Sequence, residues 1–163
     1  MPPAARITDT VAHPLPPVLA PGPGCPTVLI GFLPAWRGVN PAAAAALQAA
    51  NTAATTAIQV AVAATAAAAG PAMPAAYAAE QALKTSLLAS MSSMVTSAAA
   101  GADIHMCATP LPIPPHGPGV VITPSATVMI GNLPAARMGD TILEAVGPPN
   151  KITKGEPTVM IGN

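Results

Sequence analysis

The chain has 163 residues, enough for one domain, and balances six Lys and Arg against six Asp and Glu, so its formal net charge is zero. Only 7% of its residues are charged and no basic patch is available to hold a phosphate backbone, which argues against nucleic-acid binding. Phe32, Trp36 and Tyr77 are its only aromatic residues, so the core must be built from Val, Ile, Leu, Met and Ala, and 22 Pro with 13 Gly favour turns and short strands over long elements.

In chain order, the first twenty residues are interrupted by Pro2, Pro3, Asp9, Pro14, Pro16 and Pro17, and no charged segment precedes an apolar run. A secretory signal is therefore not expected, and synthesis in the cytoplasm is. Residues 1–40 and 101–163 are rich in Pro, Gly and β-branched types and read as short strands. Residues 41–100 are mostly Ala, the best helix former, and form a separate piece. Asn40 is placed to cap a helix with Pro41 in its first turn. Gly70-Pro71 and Pro74 break the segment, which predicts helices over about 42–69 and 74–99 and an end at Gly101.

No charge occurs between Gly38 and Ala79, so a membrane span must be weighed. Asn51, Thr52, Thr55, Thr56, Gln59 and Thr65 interrupt the first helix, where Leu47, Ile58 and Val62 are the large residues. The second carries an i,i+4 pair, Glu80 and Lys84, and a stripe of Leu83, Leu87, Leu88, Met91, Met94 and Val95. A soluble antiparallel hairpin is the expected form, in preference to a membrane-active one.

The outer pieces contain an internal repeat. Thr-Val-x-Ile-Gly occurs at 27–31, 127–131 and 158–162, and Pro-Ala-x-Arg at 3–6, 34–37 and 134–137. Gly31-Phe32-Leu33-Pro34 matches Gly131-Asn132-Leu133-Pro134, whereas the third strand has no Pro-Ala-x-Arg after it and the missing copy stands at the start of the chain. Such a circular offset predicts closure around a threefold pseudo-axis, with Pro3–Arg6 beside Thr158–Gly162 and no exposed strand edge. Arg6 precedes Asp9 by three residues as Arg137 precedes Asp140, while Arg37 has Asn40 there. These are either contacts tying each hairpin to its neighbour or solvated surface pairs of little energetic weight.

The motifs resemble those of the PAAR-repeat family, whose Pro-Ala-Ala-Arg stands as written at 3–6 and 134–137 and departs to Pro-Ala-Trp-Arg at 34–37. Gly147–Asn150 and Asp103–Cys107 resemble the family as well. The resemblance covers both outer pieces and says nothing of the Ala-rich middle. It implies a mainly β fold: a small cone of threefold pseudo-symmetric β-hairpins, here with an inserted Ala-rich helical hairpin, seated on the blunt end of a trimeric valine-glycine-repeat-type spike. It also implies a zinc ion near the apex, held by three His and one Cys.

His13, His105 and His116 are the only histidines, and each lies between a Pro-Ala-x-Arg and the next strand, as does Cys107. His105 and Cys107, two apart, share a face of an extended segment. Cys25 is the rival thiol, but it aligns with Ser125 and Glu156 at a strand entrance. The expected metal set is therefore His13, His105, Cys107 and His116, a closed tetrahedral site for structural zinc. The base is expected around Phe32-Leu33, Asn132-Leu133 and Asn163 with Pro2-Pro3, with Leu33 and Leu133 as spike-binding positions.

The expected function is a structural, zinc-stabilised tip that caps the trimeric spike of a contractile injection system, of the type VI or phage-tail-like kind, one tip per trimer, and helps pierce the target membrane. The alternative is a carrier whose insert binds effector cargo or touches that membrane. No Ser-His-Asp set, phosphate loop or catalytic carboxylate pair is evident, and no toxin domain follows the last strand, so an enzyme is not expected.

Overall fold

In the computed structural model the described residues are 1–12, 18–107 and 116–162, with Cys107 described in its backbone only. They form two helices and several small antiparallel sheets. The elements are β1 (Pro3–Ala4), β2 (Cys25–Ile30), β3 (Leu33–Ala35), α1 (Pro41–Ala67), α2 (Met73–Ala99), β4 (Ile104–Cys107), β5 (Gly117–Val121), β6 (Met129–Ile130), β7 (Leu133–Pro134), β8 (Thr141–Glu144), β9 (Asn150–Lys151) and β10 (Glu156–Met160).

The repeated strand signature forms three equivalent strand pairs. β2 pairs with β3 and β6 with β7, each across a two-residue turn. Gly31 and Phe32 have φ of 54° and 67°, and Gly131 and Asn132 of 57° and 63°. Positive φ at both central residues is the type I′ pattern, whose twist matches that of the strands it joins. The third pair is β10 with β1, joining the two ends of the chain with Pro3 opposite Met160, as the circular offset predicts.

Closed rings of backbone hydrogen bonds tie the three pairs together. Ala5 N donates to Ala136 O, Ala136 N to Trp36 O, and Trp36 N to Ala5 O, each at 2.9 Å. A second ring runs Ile7 N to Pro34 O, Gly38 N to Pro134 O and Met138 N to Pro3 O, at 3.0, 2.8 and 2.8 Å. Equivalent residues then bury together. Ile30, Ile130 and Ile161 share one cluster with Ala4, Ala35 and Ala135. Leu19, Val121 and Ile152 share the next with Ala5, Trp36 and Ala136. In that cluster lie Val11 and Ile142, each two residues after a repeated aspartate. Counted from Asp103, the third such residue is His105, which is also buried.

The larger sheet runs β4-β5-β8-β9. Alternation sends Val121 and Ile142 into the repeat core and Val120 and Leu143 to the opposite face, where α1 and α2 cover them. Leu47 of α1 and Val95 of α2 are completely buried there, and burial of each contributes about 1.5–3 kcal/mol. Small residues at Ala44, Ala54 and Ala99 are also buried on the helices. Asn40 caps α1 by accepting from Ala43 N at 2.9 Å, with Pro41 as the first helical residue, and α2 ends at Ala100 in the left-handed region. Part of the expected stripe turns outward: Met94 on α2 is exposed, and so is Val62 on α1. Among the described residues no helix is long and apolar enough to cross a membrane.

Candidate metal centre

The repeated arginines build three clamps around the ring. Arg6 donates from its backbone N and Nε to Asp9 Oδ2 and from Nη2 to Asp9 Oδ1, at 2.8, 3.2 and 3.1 Å. Arg137 does the same to Asp140, with 2.7 Å from its N and 3.0 Å from Nη2. These pairs are buried, so they are not the solvated alternative, and each is a bidentate fork on a carboxylate. Burial pushes the Asp140 carboxyl upward, opposed by the hydrogen bonds of Arg137.

The middle clamp corrects the expectation for Asn40, which is occupied as a helix cap. The partner of Arg37 is Asp103, reached from its N, Nε and Nη2 at 2.8, 3.0 and 2.9 Å. The helical insert is thus spliced into the Arg-x-x-Asp turn itself. Val39 N donates to Val121 O as Thr8 N does to Leu19 O and Gly139 N to Ile152 O. The chain then leaves, runs through both helices, and resumes the turn at Asp103.

Cys25, Ser125 and Glu156 also occupy equivalent places, at the outer side of the clamps. Glu156 forms an ion pair with Arg6. The Ser125 hydroxyl donates to Gly162 O, which also accepts from Arg137 Nη1. Cys25 is free and buried. Its thiol is held below the ordinary value first by a hydrogen bond with Thr27, with a smaller contribution from the charge of Arg37.

Of the four expected ligands, His13 and the side chain of Cys107 lie outside the described residues. The other two come together. His105, on β4, and His116, immediately before β5, both face the carboxylate of Glu144 at the end of β8. His116 Nδ1 stands 2.6 Å from Oε2, and His105 Nε2 3.5 Å from Oε1. Among the described residues no group of three or more His, Cys, Asp and Glu side chains forms a ready metal cage. The donor chemistry nevertheless fits zinc: two imidazoles, one on β4 and one just before β5, converge beside the buried carboxylate of Glu144. Glu144 escaped the sequence reading because it follows the third Pro-Ala-x-Arg, where no His or Cys draws attention to the segment.

Leu33 and Leu133 follow the turns and are partly buried; Leu133 packs against the cluster beneath the helices. More exposed are Leu29, Met129 and Met160, at equivalent positions in the three strand pairs and 58%, 55% and 47% exposed, together with Phe32 at 95%.

No curated protein and no solved structure gives a significant match to this chain. Residues 111–163 match the family described as PAAR motif. They contain the third clamp, Glu144 and the last two strand signatures, so this third of the chain carries the PAAR motif.

Proposed function

We propose that this protein is a structural, non-catalytic tip for the trimeric spike of a contractile injection system, built as a threefold pseudo-symmetric cone with a zinc-pinned apex. The observation that carries the reading is the ring of Leu29, Met129 and Met160. Three equivalent apolar side chains left in solvent, related by the same repeat that closes the hydrogen-bond rings, suit a partner that is itself threefold. Phe32, Leu33 and Leu133 flank this seat. Phe32 holds φ of 67° where the equivalent turn has Asn132, so an aromatic residue occupies a conformation that favours Asn or Gly while remaining in solvent. That combination fits a residue kept for contact. Loading inside the cell and delivery with the spike follow from this role, as does brief contact with the target membrane.

The test is binding to a valine-glycine-repeat-type spike trimer. One chain per trimer is expected by light scattering. Changing Leu29, Met129 and Met160 together to Asp removes the apolar seat without touching the core, and should weaken binding at least about tenfold, the equivalent of 1.4 kcal/mol, while thermal stability is kept. Undiminished binding by that folded variant would place the seat elsewhere.

At the apex, zinc would be held by His13, His105, Cys107 and His116. When bound it supplies a crosslink between chain segments, and four protein ligands leave no position for a reactive water. Elemental analysis should find one zinc per chain, lost in Cys107→Ser and retained in Cys25→Ser. The burial of Cys25 against Thr27, beside the Arg37 clamp, supports that assignment. Loss of metal from Cys25→Ser alone would reverse it.

A second reading has one specific support. The far half of the helical hairpin exposes Val60, Met73 and Tyr77, which suits contact with cargo or a membrane. A variant with these three changed to Ser that still seats on the spike but no longer delivers an attached effector would favour the carrier role.

A further inference from the structure

Five of the six carboxylate side chains face Arg or Lys. Asp9 and Glu156 face Arg6, Asp103 faces Arg37, Asp140 faces Arg137, and Glu80 faces Lys84. Glu144 is different. It is completely buried, and it meets two imidazoles. A buried carboxylate requires compensating positive charge or several hydrogen bonds. The remaining cations, Lys151 and Lys154, are exposed, and among the described residues the positive partners that Glu144 faces are the two histidines.

The repeat register gives Glu144 a second meaning. It is the fourth residue after Asp140, as His13 is the fourth after Asp9 and Cys107 the fourth after Asp103. Two units of the repeat thus place an expected metal ligand where the third places this carboxylate.

We infer that Glu144 is the positioning and charge-balancing residue of the metal centre. This rests on the zinc reading above. We take Glu144 as ionised; a carboxylate only accepts hydrogen bonds, and His116 at 2.6 Å then donates its Nδ1–H to Oε2. That contact fixes the tautomer and leaves Nε2 of His116 as the nitrogen with a lone pair for metal. The surroundings hold both groups in place. A Cβ on Gly147, which has φ of 103°, would lie 3.0 Å from His116 Cδ2 and 3.1 Å from its Nε2. A Cβ on Gly119 would lie 2.8 Å from Glu144 Cγ. Both glycines therefore make room for the pair.

Distance separates the two contacts of Glu144. Two donors on one tetrahedral zinc, at bond lengths near 2.0 Å, stand about 3.3 Å apart. The 2.6 Å separation of His116 Nδ1 and Glu144 Oε2 is a hydrogen bond; the 3.5 Å from His105 Nε2 to Oε1 is also the spacing of two ligands, so the cobalt spectrum of Glu144→Gln decides between orienting and ligating. The carboxylate would also complete the charge: together with one thiolate ligand it would offset both charges of a zinc ion.

The test compares wild type with Glu144→Gln, which keeps the shape and one acceptor and removes the charge. Zinc affinity is measured by chelator competition, coordination by the visible spectrum of the cobalt-loaded protein, and the histidine tautomer by nitrogen-15 NMR of the metal-free protein. Expected results are zinc binding weakened about 10- to 100-fold, tetrahedral cobalt bands retained, and His116 in the Nδ1–H form in wild type. Affinity within twofold of wild type would overturn the inference. A cobalt spectrum that changes ligand type would overturn it in favour of direct ligation. Should Glu144→Gln not fold, the wild-type tautomer decides: an Nε2–H His116 would sink the proposal. A wild type that takes up no zinc would remove the zinc reading instead, and this role with it.

Discussion

Asp103→Ala should destabilise the protein by about 3–5 kcal/mol, because it leaves a largely buried guanidinium without its counter-charge. The Asp103 side chain is fully buried and that of Arg37 is 12% exposed. Loss of the carboxylate removes three hydrogen bonds at once, including the one that holds the Arg37 backbone N–H. Domain stabilities lie near 5–15 kcal/mol, so a variant close to unfolding at room temperature is expected. Asp103→Asn keeps an acceptor for the backbone N–H and should cost less. Asn40→Ala removes only the helix cap, at about 1 kcal/mol. Urea unfolding of the three variants checks the order. Equal costs for Asp103→Ala and Asn40→Ala would show that the middle clamp carries no more weight than a surface contact.

Trp36→Ala is expected to cost about 3–5 kcal/mol, the range for removal of a large buried aromatic ring. Trp36 is 0% exposed and stands in the repeat where the other two units have Ala5 and Ala136. One large side chain therefore fills the space among three chain segments that approach closely. Its Cη2 presses on Gly22, where an added Cβ would lie 2.8 Å away. The indole Nε1 has no hydrogen-bond partner among the described residues, so the contribution of this residue is packing, reduced by an unmet donor. Trp36→Phe gives up volume but also that donor, and should lose much less. Thermal unfolding measures both. A loss under about 1 kcal/mol for Trp36→Ala would mean that the surrounding residues collapse into the space.

Much of the fold was legible because its signals are local. Asn40-Pro41 and the run of Ala act within one or two turns, so α1 and α2 fall within a few residues of their expected ends. Gly31-Phe32 and Gly131-Asn132 set the hairpin turns by backbone preference alone. The circular offset of the repeat also sufficed to pair β1 with β10, because a strand signature without its following segment needs a partner from elsewhere in the chain.

What only the tertiary structure decided are contacts between residues distant in sequence. Asp103 is 66 residues from Arg37, and the Arg-x-x-Asp spacing disappears once a helical hairpin is inserted between its members. Nearness in sequence favoured Asn40, but a helix end with unsatisfied N–H groups claimed that side chain first. Met94 and Val62 match the apolar spacing of their helices yet face solvent, because periodicity names a face and only the reach of the sheet decides how much of it is covered. Glu144 carried no mark in the sequence beyond its count from Asp140. Its place between His105 and His116 arises because β4, the segment before β5, and β8 are brought together in one sheet. Sequence determined the elements and the symmetry of their repeat; the packing of chain segments remote in sequence decided which charges meet.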